Sequence, residues 1–240
     1  YVRPSNPLHM ARLMCSWVAL TGSMLTTSYQ FSELPQQRLD LLKRTMPGHG
    51  LLGRPVDLFD GDQPRIWTLT DNRGTVRRDV IGLFNWNEED ATEIVCDVDR
   101  LGLDPEATYH AFDFWRDEFV EPVRGTLRQN VPGGSCRVLA VRAAADHPVL
   151  LSTSRHIAQC IVDVLDERWD PSARTLSGKS RVVAGDPYEM RIALPVGTRW
   201  KVKRAVAGAS PLEVDESPVG GVRARFTPTT DGTVAWSVQF

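Results

Sequence analysis

The apolar residues of this chain change their spacing once, at Pro47, and that change limits the folds open to it. Before Pro47, Met10, Leu13, Met14, Trp17 and Val18 fall at the i, i+3, i+4, i+7 and i+8 positions of one helix face. The spacing predicts a helix over 8–20, with Asn6 as its cap and Pro7 in its first turn. Thr21-Gly22 interrupts the pattern, and the short, β-tolerant run Ser23-Met24-Leu25-Thr26-Thr27 predicts a strand over 23–28. Ser32-Glu33-Leu34-Pro35 then opens a second helix, expected over 33–44. Leu39, Leu41 and Leu42 supply its apolar side, Lys43 and Arg44 suit its C-terminal dipole, and Pro47-Gly48 stops it. Helix, strand and helix make an α/β unit.

Beyond Pro47 the apolar period is about two, that of a strand with one face turned inward. Ile66 to Thr70, Val80 to Trp86, Glu93 to Val98, Tyr109 to Trp115 and Arg137 to Arg142 are separated by turn chemistry such as Asp71-Asn72-Arg73-Gly74 and Gly102-Leu103-Asp104-Pro105. This spacing predicts an antiparallel β-sandwich over 51–146, with Leu83, Phe84, Val95, Phe112, Phe114, Leu139 and Val141 in its core. Some of these strands are apolar on both faces, so the block that follows is expected to cover part of the first. That second β-rich block, 147–240, contains a run at Val149 to Ser152 and a segment from Ile157 to Leu165 that reads as either strand or helix. It then shows alternating sets at Tyr188, Met190, Ile192, Leu194, at Trp200, Val202, Arg204, Val206, at Val222, Ala224, Phe226, and at Val234, Trp236, Val238, Phe240.

Charge excludes some partners. The 28 Lys+Arg against 30 Asp+Glu give a net charge of −2 with no basic run, so the footprint of a nucleic-acid or anionic-membrane binder is missing. The longest apolar segment, Met10 to Leu20, is broken by Arg12 and Ser16 and falls short of the roughly 18 residues of a membrane span. Cys15, Cys96, Cys136 and Cys160 are isolated and read as buried thiols, not as a zinc site or a disulfide framework. His9, His49, His110, His147 and His156 form no HExxH pair, no GxSxG elbow is present, and Gly48-His49-Gly50 precedes no helix that would make a phosphate cradle. No metal and no cofactor is expected. The opening Tyr1-Val2-Arg3-Pro4 has neither an initiator Met nor a signal-peptide layout, and the chain is expected to be a piece of a longer protein.

Asp113, Asp117, Glu118 and Glu121 are the densest carboxylates, and paired acids are what glycoside hydrolysis uses. They flank an expected hairpin turn, where solvated charge is the default, so the structural reading is preferred; Asn87 to Asp90 likewise reads as an acidic turn. Of the seven tryptophans, Trp17, Trp86, Trp115, Trp200 and Trp236 lie on apolar-periodic faces, which favours core packing over a sugar-stacking platform.

The order of segments adds a resemblance. His9 to Arg44, then Val80-Ile81-Gly82-Leu83-Phe84-Asn85-Trp86, Leu101-Gly102-Leu103, Tyr109 and Phe112-Asp113-Phe114-Trp115 together resemble the C-terminal part of α-galactosidase (melibiase-like) glycoside hydrolases, families 27 and 36 and their relatives. In that pattern a Trp-bearing helix leads to the last barrel strand and helix, and a β-sandwich with "(V/I)xLFN", "LGL" and "DLW"-like stretches follows. The resemblance covers residues 8 to 143. It implies that 1–50 is the closing end of a (β/α)8 barrel whose site lies at the C-terminal ends of its strands, and that the two catalytic Asp residues precede Tyr1. The implied partners are a carbohydrate substrate, through the full-length protein, and an upstream barrel domain. Ser28 and Tyr29 stand at the end of the implied last strand, where they line the substrate cleft or form a plain loop. Family members often carry Ser-x-Asp or Ser-Asp there, whereas this sequence has Thr27-Ser28-Tyr29, a departure that bears on galactose specificity.

The expected fold is therefore mainly β, an antiparallel sandwich with a second β-rich domain, preceded by a short α/β barrel remnant. Its expected function is that of a C-terminal fragment of a retaining glycoside hydrolase, inactive alone. The alternative is a non-catalytic carbohydrate-binding or adhesion module. The stripe Met10, Leu13, Met14, Trp17, Val18 discriminates: a barrel remnant leaves it without partners, whereas an appendage buries it on the sandwich.

Overall fold

A computed structural model of the chain describes residues 2–27, 29–197 and 200–240. Helix α1 spans Leu8–Thr21, beginning one residue after Pro7, whose carbonyl accepts the first intrahelical bond from the Ala11 amide. It ends at Gly22, a left-handed residue at φ 71° where a Cβ would lie 2.4 Å from the Leu51 carbonyl oxygen, so this position requires glycine. Helix α2 spans Gln36–Thr45, later than the expected 33–44, after a single 3-10 turn at Phe31–Glu33. Pro35 is the reason: the residue before a proline is pushed out of the helical region, and Leu34 is extended.

The expected strand over 23–28 does not form. Residues 23–27 have no regular structure and no described strand pairs with them, while Ser28 lies outside the described residues. β-tolerant side chains alone do not make a strand, because its amides and carbonyls need a neighbouring ladder.

Eight strands follow: β1 Arg54–Pro55, β2 Ile66–Asp71, β3 Arg78–Phe84, β4 Thr92–Asp97, β5 Thr108–Asp113, β6 Glu118–Arg124, β7 Thr126–Val131 and β8 Cys136–Ala143. Six make an antiparallel sheet in the order β1-β2-β3-β8-β5-β6, and β4 and β7 pair as a separate ribbon. Ile81, Leu83, Ala111, Leu139 and Val141 on one face pack against Ile94, Cys96, Leu127 and Val131 of the ribbon. Val95, expected in this core, points away from it and is 40% exposed; on a ribbon one residue's phase decides which face it takes.

The other face of the sheet is covered twice. Near Val80, Phe84, Cys136 and Val138 it receives α1 and α2, with Leu13, Ala19, Leu20 and Leu42 in the same cluster. Near Phe112 and Ala140 it receives Val149, Leu151 and Ala193. Cover on both faces explains why β3, β5 and β8 are buried almost end to end instead of alternating.

The remaining strands are β9 Val149–Thr153, β10 Val164–Asp170, β11 Thr175–Val182, β12 Tyr188–Ala193, β13 Arg204–Ala207, β14 Ser210–Pro211, β15 Glu213–Ser217, β16 Gly221–Phe226 and β17 Gly232–Gln239. They form two open sheets, β15-β16-β12-β9 and β10-β11-β17-β13-β14. Met190, Ile192, Val222 and Ala224 of the first sheet meet Leu176, Ala205, Trp236 and Val238 of the second in one core. In β13 it is Ala205 and Ala207 that turn inward, opposite in phase to the set at Arg204 and Val206. Of the segment from Ile157 to Leu165, residues 157–163 are turns and Val164 and Leu165 open β10. Trp236 is buried, while Trp17, Trp86, Trp115 and Trp200 lie half-buried against these cores. All four cysteines are free and buried.

Three histidines are buried with lowered pKa values. The Leu51 amide donates to His49 Nδ1 at 3.1 Å and Nε2 contacts the Ala19 carbonyl at 2.7 Å, an arrangement that suits the neutral ring protonated at Nε2. Burial is the main cause of the shift at His49, His110 and His156 alike. Below the ordinary value of 6.5 the unfolded chain then binds more protons than the folded one. Stability is lost as pH falls through the window between 6.5 and the lowered values. The thermal midpoint should drop as pH is lowered from about 7 to about 5, and His49→Gln should shrink that drop. A midpoint that is flat or rises over this interval would refute the assignment.

Candidate functional site

The β5–β6 hairpin carries the acids singled out from the sequence; Asp117, Glu118 and Glu121 are exposed there, and Asp113 is not. Asp113 is 1% exposed. Its Oδ1 accepts the Trp115 and Arg116 amides, both at 3.1 Å, and its Oδ2 pairs with Arg137 Nη1 at 3.1 Å. Burial raises its pKa, opposed by those amides and by Arg137. The expectation of a solvated Asp113 is thus corrected: the side chain turns inward because it satisfies the hairpin's own amides and a guanidinium on β8. Glu118 pairs with Arg116 at the surface, and Glu121 is exposed.

Asp117, at φ 55° in the turn, reaches across to the second pair of sheets. Arg191 Nη2 donates to its Oδ1 at 2.8 Å and Arg223 Nη1 to its Oδ2 at 2.9 Å. Arg191, 5% exposed, also donates from Nε to Glu189 at 2.7 Å and from Nη1 to the Thr153 carbonyl at 3.0 Å, with its guanidinium 4.2 Å from the Phe112 ring centre. Burial lowers the Arg191 pKa, opposed by Glu189 and Asp117. Arg225 Nε donates to Glu189 at 2.5 Å and its Nη1 to Asp215 at 2.5 Å. Antiparallel pairing sets this up, since β12 and β16 place Glu189 opposite Arg225 and Arg191 opposite Arg223.

This charged wall faces α1 and α2 across a cleft of about 390 Å³. On the helix side stand Arg12, its guanidinium 5.1 Å from the Trp115 ring centre, and Arg44, 5.9 Å from that of Phe114. Arg44 Nη1 also donates to the Ser154 carbonyl. The two rings meet edge to face at 4.9 Å, held in place by the Trp115 indole N–H on Ser16 Oγ at 2.8 Å. Asp113 and Asp117 stand out in the sequence as carboxylates, whereas Arg12 and Arg44 read there only as helix residues and Arg191, Arg223 and Arg225 do not stand out as a group. The signal was present as Glu189-x-Arg191 and Arg223-x-Arg225, charged alternation on strands otherwise apolar.

A second cleft, of about 490 Å³, lies beside the N-terminal segment, lined by Arg3, Ser5, Asn6, Thr26, Thr27 and Tyr29 among others. Tyr29 is half-buried and its amide donates to Thr27 Oγ1 at 3.4 Å. It is in this cleft, away from the charged wall, and Ser28 beside it lies outside the described residues. Among the described residues no group of three or more His, Cys, Asp or Glu is arranged to hold a metal ion.

No family model matches the chain, and no curated protein does. Solved structures do. The α-galactosidase I from Mortierella vinacea is 11% identical, with a TM-score of 0.46 over 57% of this chain and 36% of that one. A GH27 β-L-arabinopyranosidase from Geobacillus stearothermophilus, in complex with arabinose, is 18% identical, with a TM-score of 0.49 over 59% of this chain and 32% of that one. The isomalto-dextranase from Arthrobacter globiformis T6, complexed with panose, is 14% identical, with a TM-score of 0.45 over 98% of this chain and 45% of that one. The chain thus spans well under two thirds of each of these structures, and over more than half of its own length it is similar to GH27 α-galactosidases and their relatives.

Proposed function

We propose that these residues are the C-terminal portion of a retaining, α-galactosidase-like glycoside hydrolase. In this reading 1–50 closes a (β/α)8 barrel, 51–146 is the sandwich behind it, 147–240 is a second β-rich domain, and the catalytic acids lie before Tyr1. The observation that carries it is the incompleteness of the helical unit: two helices flank residues 23–27, which have no partner strand among the described residues. Two further features support it. Arg38 is buried to 7% exposure, donates to the Asn6 carbonyl, and has an Nη1 with no partner among the described residues, the state of a charge whose acid is elsewhere. Met24, Leu52 and Phe59 are 84%, 89% and 94% exposed, as on a surface that has lost its cover. Ser28 and Tyr29, which follow that segment in the sequence, would then line the substrate cleft.

One observation favours the second reading, a free-standing carbohydrate-binding module. The stripe on α1 has partners: Leu13 and Val18 are buried, Met10, Met14 and Trp17 half-buried, and Trp17 meets Trp67 and Trp86 edge to face at 6.3 Å.

Activity separates the two. Retaining hydrolysis needs two carboxyl groups about 5–5.5 Å apart at the scissile bond. Asp113 is sealed from solvent and both oxygens of Asp117 are held by arginines, so neither can serve. Against a panel of aryl α- and β-glycosides, the 240-residue chain should give no turnover above a buffer blank, whereas a chain extended by its preceding coding sequence should be active. An inactive extended chain favours the binding module. Turnover by the 240-residue chain that Asp117→Asn abolishes overturns both readings.

A further inference from the structure

The cleft between the helices and β12–β16 contains an excess of positive charge. On its far wall Arg191 and Arg225 stand with Asp117 and Glu189, and behind them Arg223 and Asp215 complete a continuous set of ion pairs in which three guanidinia share three carboxylates. That wall is neutral. Across from it, Arg12 and Arg44 have no carboxylate within 4.0 Å among the described residues; their contacts are the Trp115 and Phe114 rings and the Ser154 carbonyl. A guanidinium has five N–H donors, so most of theirs are open to solvent or to a ligand. Both arginines are half-buried, which makes an ion pair formed there worth more than one at an open surface. The chain as a whole has a net charge of −2, so two cations without a carboxylate partner, over two touching aromatic rings in one cleft, are a local arrangement and not a product of composition.

The complement of such a site is an oxyanion next to a flat apolar surface. Volume fits a small ligand: about 390 Å³, within the roughly 300–1,000 Å³ of small-molecule sites. We propose that this cleft binds an acidic glycan, a hexuronate residue resting against Trp115 with its carboxylate between Arg12 and Arg44. The glycan half of this statement rests on the carbohydrate reading above; the oxyanion half rests on the arginines alone. The planar fork of arginine suits a carboxylate better than a lysine would.

Calorimetric titration of the intact chain with trigalacturonate tests it, with the carboxyl-reduced, neutral form of the same trisaccharide and sodium sulfate as parallel probes. Trigalacturonate should bind, the reduced trisaccharide should not, and Arg12→Gln or Arg44→Gln should each weaken binding about tenfold or more while leaving the thermal midpoint near that of the parent. Should either variant unfold, the reduced trisaccharide still reads the carboxylate's role on the unaltered protein. Equal binding of the acidic and reduced sugars, no binding of trigalacturonate, or sulfate binding as tightly as the glycan would each overturn the proposal. None of these outcomes reads glycoside turnover by the extended chain, so the two proposals stand or fall separately.

Discussion

Asp113→Ala should cost about 3–5 kcal/mol of folding stability, the range for removing one partner of a buried ion pair. The loss has two sources. Arg137, 11% exposed at its side chain, would keep its charge with only the Asn130 carbonyl as acceptor. The Trp115 and Arg116 amides would lose the acceptor that fixes the turn. Asp113→Asn keeps an amide oxygen for the turn but removes the charge, and should fall between the two. Arg137→Met on top of Asp113→Ala should recover part of the loss, since the stranded cation is then gone. Denaturant midpoints at constant slope would measure all three. A cost below about 1 kcal/mol for Asp113→Ala would mean the pair is not what closes this hairpin.

Trp236→Ala should be as damaging, about 3–5 kcal/mol. The side chain is 2% exposed at the centre of the core between the two later sheets, and its indole N–H donates to Ser180 Oγ at 3.0 Å. Truncation opens a cavity and strands a hydroxyl on a residue with no exposure. Gly178 shows how closely the ring is fitted: a Cβ there would lie 2.4 Å from the indole and 2.3 Å from the Asp166 carbonyl oxygen. Gly178→Ala should therefore destabilise through a backbone collision that no rotamer change relieves. Thermal unfolding of Trp236→Ala, Trp236→Phe and Gly178→Ala checks this, with Phe expected to retain part of the core. A Trp236→Ala midpoint within a degree or two of the parent would contradict it.

Much of the β architecture was legible because its information is local. A period of two, broken by Asp-Asn-Arg-Gly and Gly-Leu-Asp-Pro, marks strands wherever their partners lie. Local signals failed where a neighbour decides. Residues 23–27 have strand composition and, among the described residues, no ladder to join. Val95 has core character and the wrong phase. Asp113 sits in a turn whose chemistry suggests solvent, yet an arginine 24 positions away draws it inside. The arginine cleft was least visible of all, since Asp117 meets Arg191 across 74 positions and Arg223 across 106. No spacing rule spans such separations, and only the fold brings those charges together.

The contact of Phe112, Phe119 and Ala140 with Val149, Leu151 and Ala193 has a consequence for how this sequence can drift. Phe119 from β6 lies directly over Gly221 of β16, where a Cβ would come within 2.3 Å of the ring. A larger residue at 221 has to be answered by a smaller one at 119, and a bulkier side chain at Ala140 by a change at Leu151 or Ala193. The first sheet and the later ones therefore accept substitutions as joint events. A variant assembled by grafting either half from a distant homologue inherits a mismatched seam, even when each half is sound by itself.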